Sequence, residues 1–131
     1  MSNAEKKNKV NQLFTLFQAG EWDESASLFS DDARITRQYG DRITTNTVTE
    51  FIHSLKSGPL AKVGIPEYRD RKVSLLEEGG FVERHKTRLT IKDQLIEIPV
   101  CIIGTFNMEG KISSLEEYLD PSPIIKVLTR S

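Results

Sequence analysis

Apolar residues in the first part of the chain recur at helical spacing. Val10, Leu13, Phe14 and Phe17 stand at i, i+3, i+4 and i+7, which predicts an amphipathic helix starting near Glu5 and stopped by Gly20. A second, short helix follows. Asp23 is its expected cap, and Trp22, Ala26 and Phe29 recur at spacings of four and three until "SDD" ends it. Trp22 reads as a core anchor rather than a ligand-stacking residue. After a short strand around "ARITR" and a loop "QYGDR", Thr47 and Glu50 have the spacing of a capping box. The third helix that they open carries an inner stripe of Val48, Phe51, Ile52 and Leu55, and Gly58 with Pro59 terminates it. His53 lies off that stripe and reads as a partly exposed helix residue.

From Ile65 the pattern changes to long strands, near 66–77, 80–91, 95–107 and 111–119, separated by the turn signals "EEGG", "KD" and "EG". This predicts an antiparallel meander. Long antiparallel strands curl, and a curled sheet offers a concave face that helices can cover. Ser122 and Pro123 suit the N-cap and first position of a last helical turn carrying Ile124, Ile125 and Leu128, which docks on the body or closes one mouth of a cavity. The fold class expected is α+β: N-terminal helices packed on the concave face of a strongly curved, mostly antiparallel sheet, an α+β cone. With no internal repeat, low-complexity tract or linker, residues 1–131 read as one domain. Residues 1–4 are expected to be irregular or left from an expression tag.

Composition narrows the function classes. A chain of 131 residues can bury an ordinary core without a disulfide or metal to hold it, and no metal or cofactor is indicated. Lysine plus arginine total 18 against 19 acids, so no net field recruits nucleic acid or an anionic membrane. The single cysteine, Cys101, falls in the apolar run "PVCIIG" and reads as a small buried hydrophobe. No apolar stretch approaches the roughly 20 residues of a membrane span, and "MSNAEKKNK" lacks the apolar core of a signal peptide. A cytoplasmic location is the expectation.

The order of elements, with "FQAGEWDESASLFSDDARI" early and "GTFNMEGKISSLEEYLD" late, resembles the SnoaL-like branch of the nuclear-transport-factor-2-like superfamily, over roughly Glu5 to Leu128. The resemblance rests on the Gly-acid-Trp-Asp lead into the second helix, the "DDA" before the first strand and the "EGKI...EYLD" finish. It implies a cone enclosing an apolar pocket for a small hydrophobic or amphipathic ligand, and a homodimer. Members include ketosteroid isomerases, limonene-epoxide-hydrolase-like enzymes, polyketide cyclases and non-catalytic binding or dimerisation modules, so the fold alone selects no function.

Carried over residue by residue, none of these catalytic sets is complete. The epoxide-hydrolase branch has an Arg between two acids, one activating water and the other protonating the epoxide. The resemblance puts that Arg at Arg84 in "FVERHKTRL" and the water-activating acid at Glu117, but Lys86 stands where the second acid belongs. The residues that hold the water would fall near Ile35 and Arg37, which cannot do so. For a ketosteroid isomerase the carboxylate position is taken by Arg37, and the tyrosine position falls near Leu13 or Phe14. For a polyketide cyclase, Glu117 or Asp120 could remove a proton α to a carbonyl, with His85 as an auxiliary.

Strand alternation supplies an independent test. On the last strand Leu115, Glu117 and Leu119 share one face, while Ile112, Ser114, Glu116 and Tyr118 share the other. Glu117, flanked by leucines, is the inward acid and Glu116 the outward one. On the second long strand Val82, Arg84, Lys86 and Arg88 lie on one side, with Phe81, His85, Leu89 and Ile91 on the other. Alternation therefore turns His85 inward and the basic row out, whereas the resemblance turns Arg84 and Lys86 inward. The candidate catalytic residues are Glu117 and Arg84; the candidate ligand-binding residues are Lys86, His85 and Tyr39, with Tyr39 and Tyr68 at a pocket mouth. Three readings stay open: a small-molecule pocket protein, an isomerase, cyclase or hydrolase using Glu117 as base, and a dimerisation or protein-interaction module using the outer sheet face.

Overall fold

The structure is a computed structural model that describes residues 1–58, 61–62 and 64–129. Helix α1 (Asn3–Gln18) opens on a capping box. Ser2 Oγ accepts from the Glu5 amide at 3.1 Å, and the Glu5 carboxylate accepts from the Ser2 amide at 3.4 Å. Ser2 and Asn3 thus belong to the cap and first turn, not to an irregular leader. The buried stripe of α1 is Val10, Leu13, Phe14 and Phe17, each worth about 1.5–3 kcal/mol on full burial. Helix α2 (Trp22–Ala26) is shorter than the spacing predicts: Glu21 holds its N-cap position without a side-chain bond. Asp23 instead meets Lys56 at 2.8 Å. Phe29 belongs to the next strand.

Strand β1 (Phe29–Tyr39) extends well beyond "ARITR" and turns at Gly40, whose φ of 66° suits glycine, into β2 (Arg42–Thr47). Strand β2 was absent from the sequence expectation because "RITTNT" is an edge strand with both faces wet, so it lacks an apolar alternation. Helix α3 (Val48–Ser57) opens on the Thr47–Glu50 capping box, buries Phe51 and Ile52, and ends at Gly58. Pro59, the other expected stop, lies outside the described residues.

The strands β3 (Glu67–Leu75), β4 (Phe81–Ile91), β5 (Gln94–Phe106) and β6 (Ile112–Leu119) form the expected meander. The six-stranded sheet has the order β2-β1-β6-β5-β4-β3. Among the described residues only the β1–β6 pair is parallel, and the other pairs are antiparallel. Helix α4 (Ser122–Leu128) starts one residue earlier than predicted, with Pro121 in the N-cap position. The result is an α+β fold with α1 and α3 against the inner face of the sheet, where Phe14, Phe17, Phe51, Ile35, Ile102 and Leu115 share one core. A smaller core of Leu89, Ile91, Ile96, Ile98 and Val127 seats α4 at the other end of β4 and β5.

Two further sequence expectations change. Ile112 is fully buried rather than outward, because the β5–β6 register shifts between Phe106↔Ile112 and Thr105↔Ser114. That irregularity adds one residue to β6 and reverses the face of everything before it. Cys101 is only half-buried: Val100 and Ile102 take the inner face of β5, which leaves Cys101 on the outer one between Arg84 and Tyr118.

Candidate ligand pocket

Between α1, α3 and the inner sheet face lies a cavity of about 360 Å³, walled by apolar side chains that include Phe14, Trp22, Phe51, Ile98 and Leu115. Pro121 and Ile124 of α4 reach its far end. A more open depression of about 540 Å³ near Met1, Lys6 and Met108 has none of the inward titratable groups described next.

The first polar group of the wall comes from β1 and β6. Alternation from Ala33 through Ile35 carries Arg37 and Tyr39 to the inner face of β1. The parallel register sets Arg37 opposite Glu117 and Tyr39 opposite Leu119. The Tyr39 hydroxyl donates to Glu117. Arg37 donates to Asn46 at 2.8 Å and Ser54 at 3.3 Å, and its guanidinium lies 5.3 Å from the Phe51 ring centre. Burial pushes the Glu117 carboxyl above the ordinary carboxylate range, and the Glu83 charge adds to this; the Tyr39 hydrogen bond, Arg37 and His85 pull the other way. Burial, then the Glu117 charge, pushes the Tyr39 phenol upward, so Tyr39 stays a neutral donor.

The second group runs along β4. Glu83, His85 and Thr87 stand at i, i+2 and i+4 on the inner face. Glu83 is fully buried; it accepts from His85 Nδ1 at 2.6 Å and from Arg71 Nε at 2.8 Å. That carboxylate holds the Nδ1–H tautomer of the imidazole, whose Nε2 meets Thr87 Oγ1 at 3.0 Å. Arg71 also reaches Asn11 of α1 at 3.1 Å and lies over the Phe14 ring at 4.6 Å. Tyr68, from β3, packs against His85 with ring centres 4.7 Å apart.

Of the residues singled out from the sequence, Glu117, His85 and Tyr39 line the cavity. Arg84 and Lys86 do not: both are exposed on the outer face, and Lys86 reaches Asp70 at 3.6 Å. The phase of β4 decides this. Phe81 and Glu83 are completely buried, so Arg84 and Lys86 must point away, opposite Cys101 and Pro99. The cation on the cavity wall is instead Arg37; Arg71 stands behind the wall, paired with Glu83. Asp120 is exposed and engaged with Ser122, and Glu116 is exposed, accepting from Tyr118 at 2.7 Å. Sequence reasoning missed Glu83, although it shares the alternation of Phe81 and His85. It also missed Arg37, two residues beyond the buried Ile35.

Among the described residues no cluster of His, Cys, Asp and Glu could hold a metal ion, and no helix is long and apolar enough to cross a membrane.

Helices packed on a curved sheet over an apolar cavity with a few paired polar groups on its wall define a class of cone-shaped pocket proteins. The chain has the nuclear-transport-factor-2-like fold of the SnoaL type. A candidate polyketide cyclase from Xanthomonas campestris pv. campestris superposes with a TM-score of 0.80 at 14% identity, over 96% of this chain and 98% of that one. An NTF2-like protein of unknown function from Burkholderia pseudomallei K96243 gives 0.76 at 15%, over 99% and 100%. The epoxide hydrolase/cyclase-like enzyme SalBIII, described in pyran ring formation in salinomycin, gives 0.71 at 17%, over 92% and 95%. No family model and no curated protein matches the sequence. At these identities the likeness establishes the fold and leaves the chemistry to the residues themselves.

Proposed function

We propose that this chain binds a small hydrophobic or amphipathic molecule in the cavity between α1, α3 and the sheet. The observation that carries this reading is a cavity of about 360 Å³ with an apolar wall interrupted by the Tyr39–Glu117 and His85 groups. Small-molecule sites span about 300–1,000 Å³ and combine an apolar lining with a few placed polar groups. Trp22 is the one tryptophan in the sequence and borders the cavity, so its emission reports occupancy. Titration with tetralin, a rigid bicyclic hydrocarbon, is expected to change that emission saturably, and the cavity-filling variant Ile102→Phe to weaken the response. No saturable change up to the solubility limit would sink the reading.

A second reading is favoured by the raised proton affinity of Glu117. A half-buried carboxyl whose proton affinity is raised and which is held by a phenol suits proton transfer on a bound molecule. The cavity then belongs to an isomerase or cyclase with Glu117 as its single base. A hydrolase needing two independent carboxyls fits less well, because both oxygens of Glu83 are engaged by Arg71 and His85. Turnover of a bound ketone, detected as exchange of its α-hydrogens for deuterium and lost in Glu117→Gln, is the expected result.

The homodimer implied by the resemblance would use the outer sheet face, where Val82, Ile103 and Tyr118 are partly exposed. Light scattering on the purified chain and on Ile103→Lys tests it: a monomer in both removes the interaction-module reading.

A further inference from the structure

We propose that the Tyr68 hydroxyl is the donor that anchors the molecule bound in this cavity, and that the molecule presents to it a neutral oxygen acceptor: a ketone, ether or alcohol. This rests on the pocket reading above and adds the polarity of its ligand.

Tyr68 is held rigidly by everything except its hydroxyl. Its amide donates to Gln18 Oε1 at 2.7 Å, and the same glutamine side chain donates to the Pro66 carbonyl at 2.6 Å, tying the start of β3 to the end of α1. Its ring stands edge-on to Phe14, with centres 5.7 Å apart at 81°, and leans on His85 at 4.7 Å. Two fixed torsions and three fixed contacts leave little rotamer freedom to lose on binding.

The neighbouring polar groups of the wall are occupied within the protein. Tyr39 donates to Glu117, Arg37 to Asn46 and Ser54, Ser54 to the Phe51 carbonyl, and both ring nitrogens of His85 are engaged. The Tyr68 hydroxyl makes no hydrogen bond to any described residue. It is not sealed in the packing either, since no fully buried side-chain polar atom among the described residues lacks a partner. Its hydrogen-bonding capacity is therefore directed at the cavity that Tyr68 lines.

The chemistry of the acceptor follows from the charges around it. Burial, then the Glu117 and Glu83 charges, pushes the Tyr68 phenol upward, so it remains an O–H donor across the physiological range. An anionic acceptor would face the same two carboxylates. Of the cations that offset them, Arg71 is paired with Glu83 at 2.8 Å, and Arg37 is held in place by Asn46 and Ser54, its charge acting on Glu117. A neutral oxygen accepts the phenol hydrogen bond without adding charge to a wall that is close to balanced.

Calorimetric titration with tetralin and with 2-tetralone, the same scaffold bearing one carbonyl, tests this on the wild type and on Tyr68→Phe, which keeps the ring. The wild type is expected to bind the ketone more tightly, and Tyr68→Phe to weaken the ketone roughly three- to tenfold while leaving the hydrocarbon within about twofold. Equal losses for both probes, or no loss for either, would overturn the anchoring role and leave the pocket reading intact. No binding of either probe to the wild type would overturn both. Should Tyr68→Phe fail to fold, the carbonyl stretch of bound 2-tetralone in the wild type decides. A shift to lower frequency than in hexane supports the hydrogen bond, and a hexane-like frequency overturns it.

Discussion

Tyr39 and Glu117 meet across the parallel β1–β6 strand pair, the tyrosine on β1 donating its hydroxyl to the carboxyl on β6. These strands are far apart in sequence, and their register sets Leu119, not Glu117, beside Tyr39. The contact is thus a diagonal one, reached because an aromatic side chain spans one further pair. A phenol and a carboxyl so joined share the cost of leaving water: each supplies the other's hydrogen bond where the cavity supplies none.

Removing the phenol oxygen isolates the acid. In Tyr39→Phe the hydrogen bond that holds the Glu117 carboxyl down is lost while burial, the largest influence raising it, stays. The Glu117 pKa should therefore move further up, as read by NMR titration of its side-chain carboxyl carbon. Stability should fall by about 1–3 kcal/mol, the usual cost of leaving a buried polar group without its partner. An unchanged or lowered Glu117 titration would contradict the pairing.

Glu117 also predicts the pH dependence of stability. Its folded-state pKa lies above its ordinary value of 4.5, so between the two values the folded state binds more protons than the unfolded one. Stability contributed by this group is then fully present below the unfolded pKa and is lost as pH rises through the folded one. Glu117→Gln removes the dependence. Urea unfolding from pH 4 upward should show wild-type stability declining relative to the glutamine variant; parallel curves would mean that the carboxyl ionises as freely in the fold as in water.

Much of this arrangement was legible in the residue pattern, and the exceptions have physical causes. The stripes of α1 and α3 and the Thr47–Glu50 box depend on contacts within a few residues, which spacing records directly. Alternation separated Glu116 from Glu117 and turned His85 inward against the basic row. It faltered at Ile112, where one extra residue in β6 changes the face, and at β2, which has no buried side to alternate. Glu83 and Arg37 went unread because a charge on an inward position looks like an error until its partners are known. Arg71 comes from the neighbouring strand, and Asn46 and Ser54 from β2 and α3, and no local spacing announces them.

The buried and outward charges of β4 should respond oppositely to substitution. Glu83→Ala leaves Arg71 and His85 without their shared carboxylate in the core, and losing one partner of a buried pair costs about 3–5 kcal/mol. Arg84→Ala and Lys86→Ala touch only exposed side chains and should stay within about 0.5 kcal/mol, with tetralin binding unaltered. Chemical denaturation of the three variants measures both halves. A large loss of binding in Arg84→Ala would restore the inward placement that the resemblance implies.

An acidic ligand offers a sharper test of the charges in the cavity. The carboxylate of 1,2,3,4-tetrahydro-2-naphthoic acid, seated beside Glu117, would put two like charges in one low-dielectric site, and such pairs do not both ionise. One proton must then be held by the pair, so binding takes up a proton from solution. By linkage, affinity should rise as pH falls, by up to about tenfold per unit while Glu117 is ionised in the free protein. 2-Tetralone should show far less dependence over the same range. Calorimetry in buffers of different ionisation enthalpy counts the proton directly, and Glu117→Gln should abolish the uptake. If the acid binds without a proton and independently of pH, its carboxylate does not sit beside Glu117, and the Arg37 guanidinium, bonded to the neutral Asn46 and Ser54 side chains, is the cation that receives it.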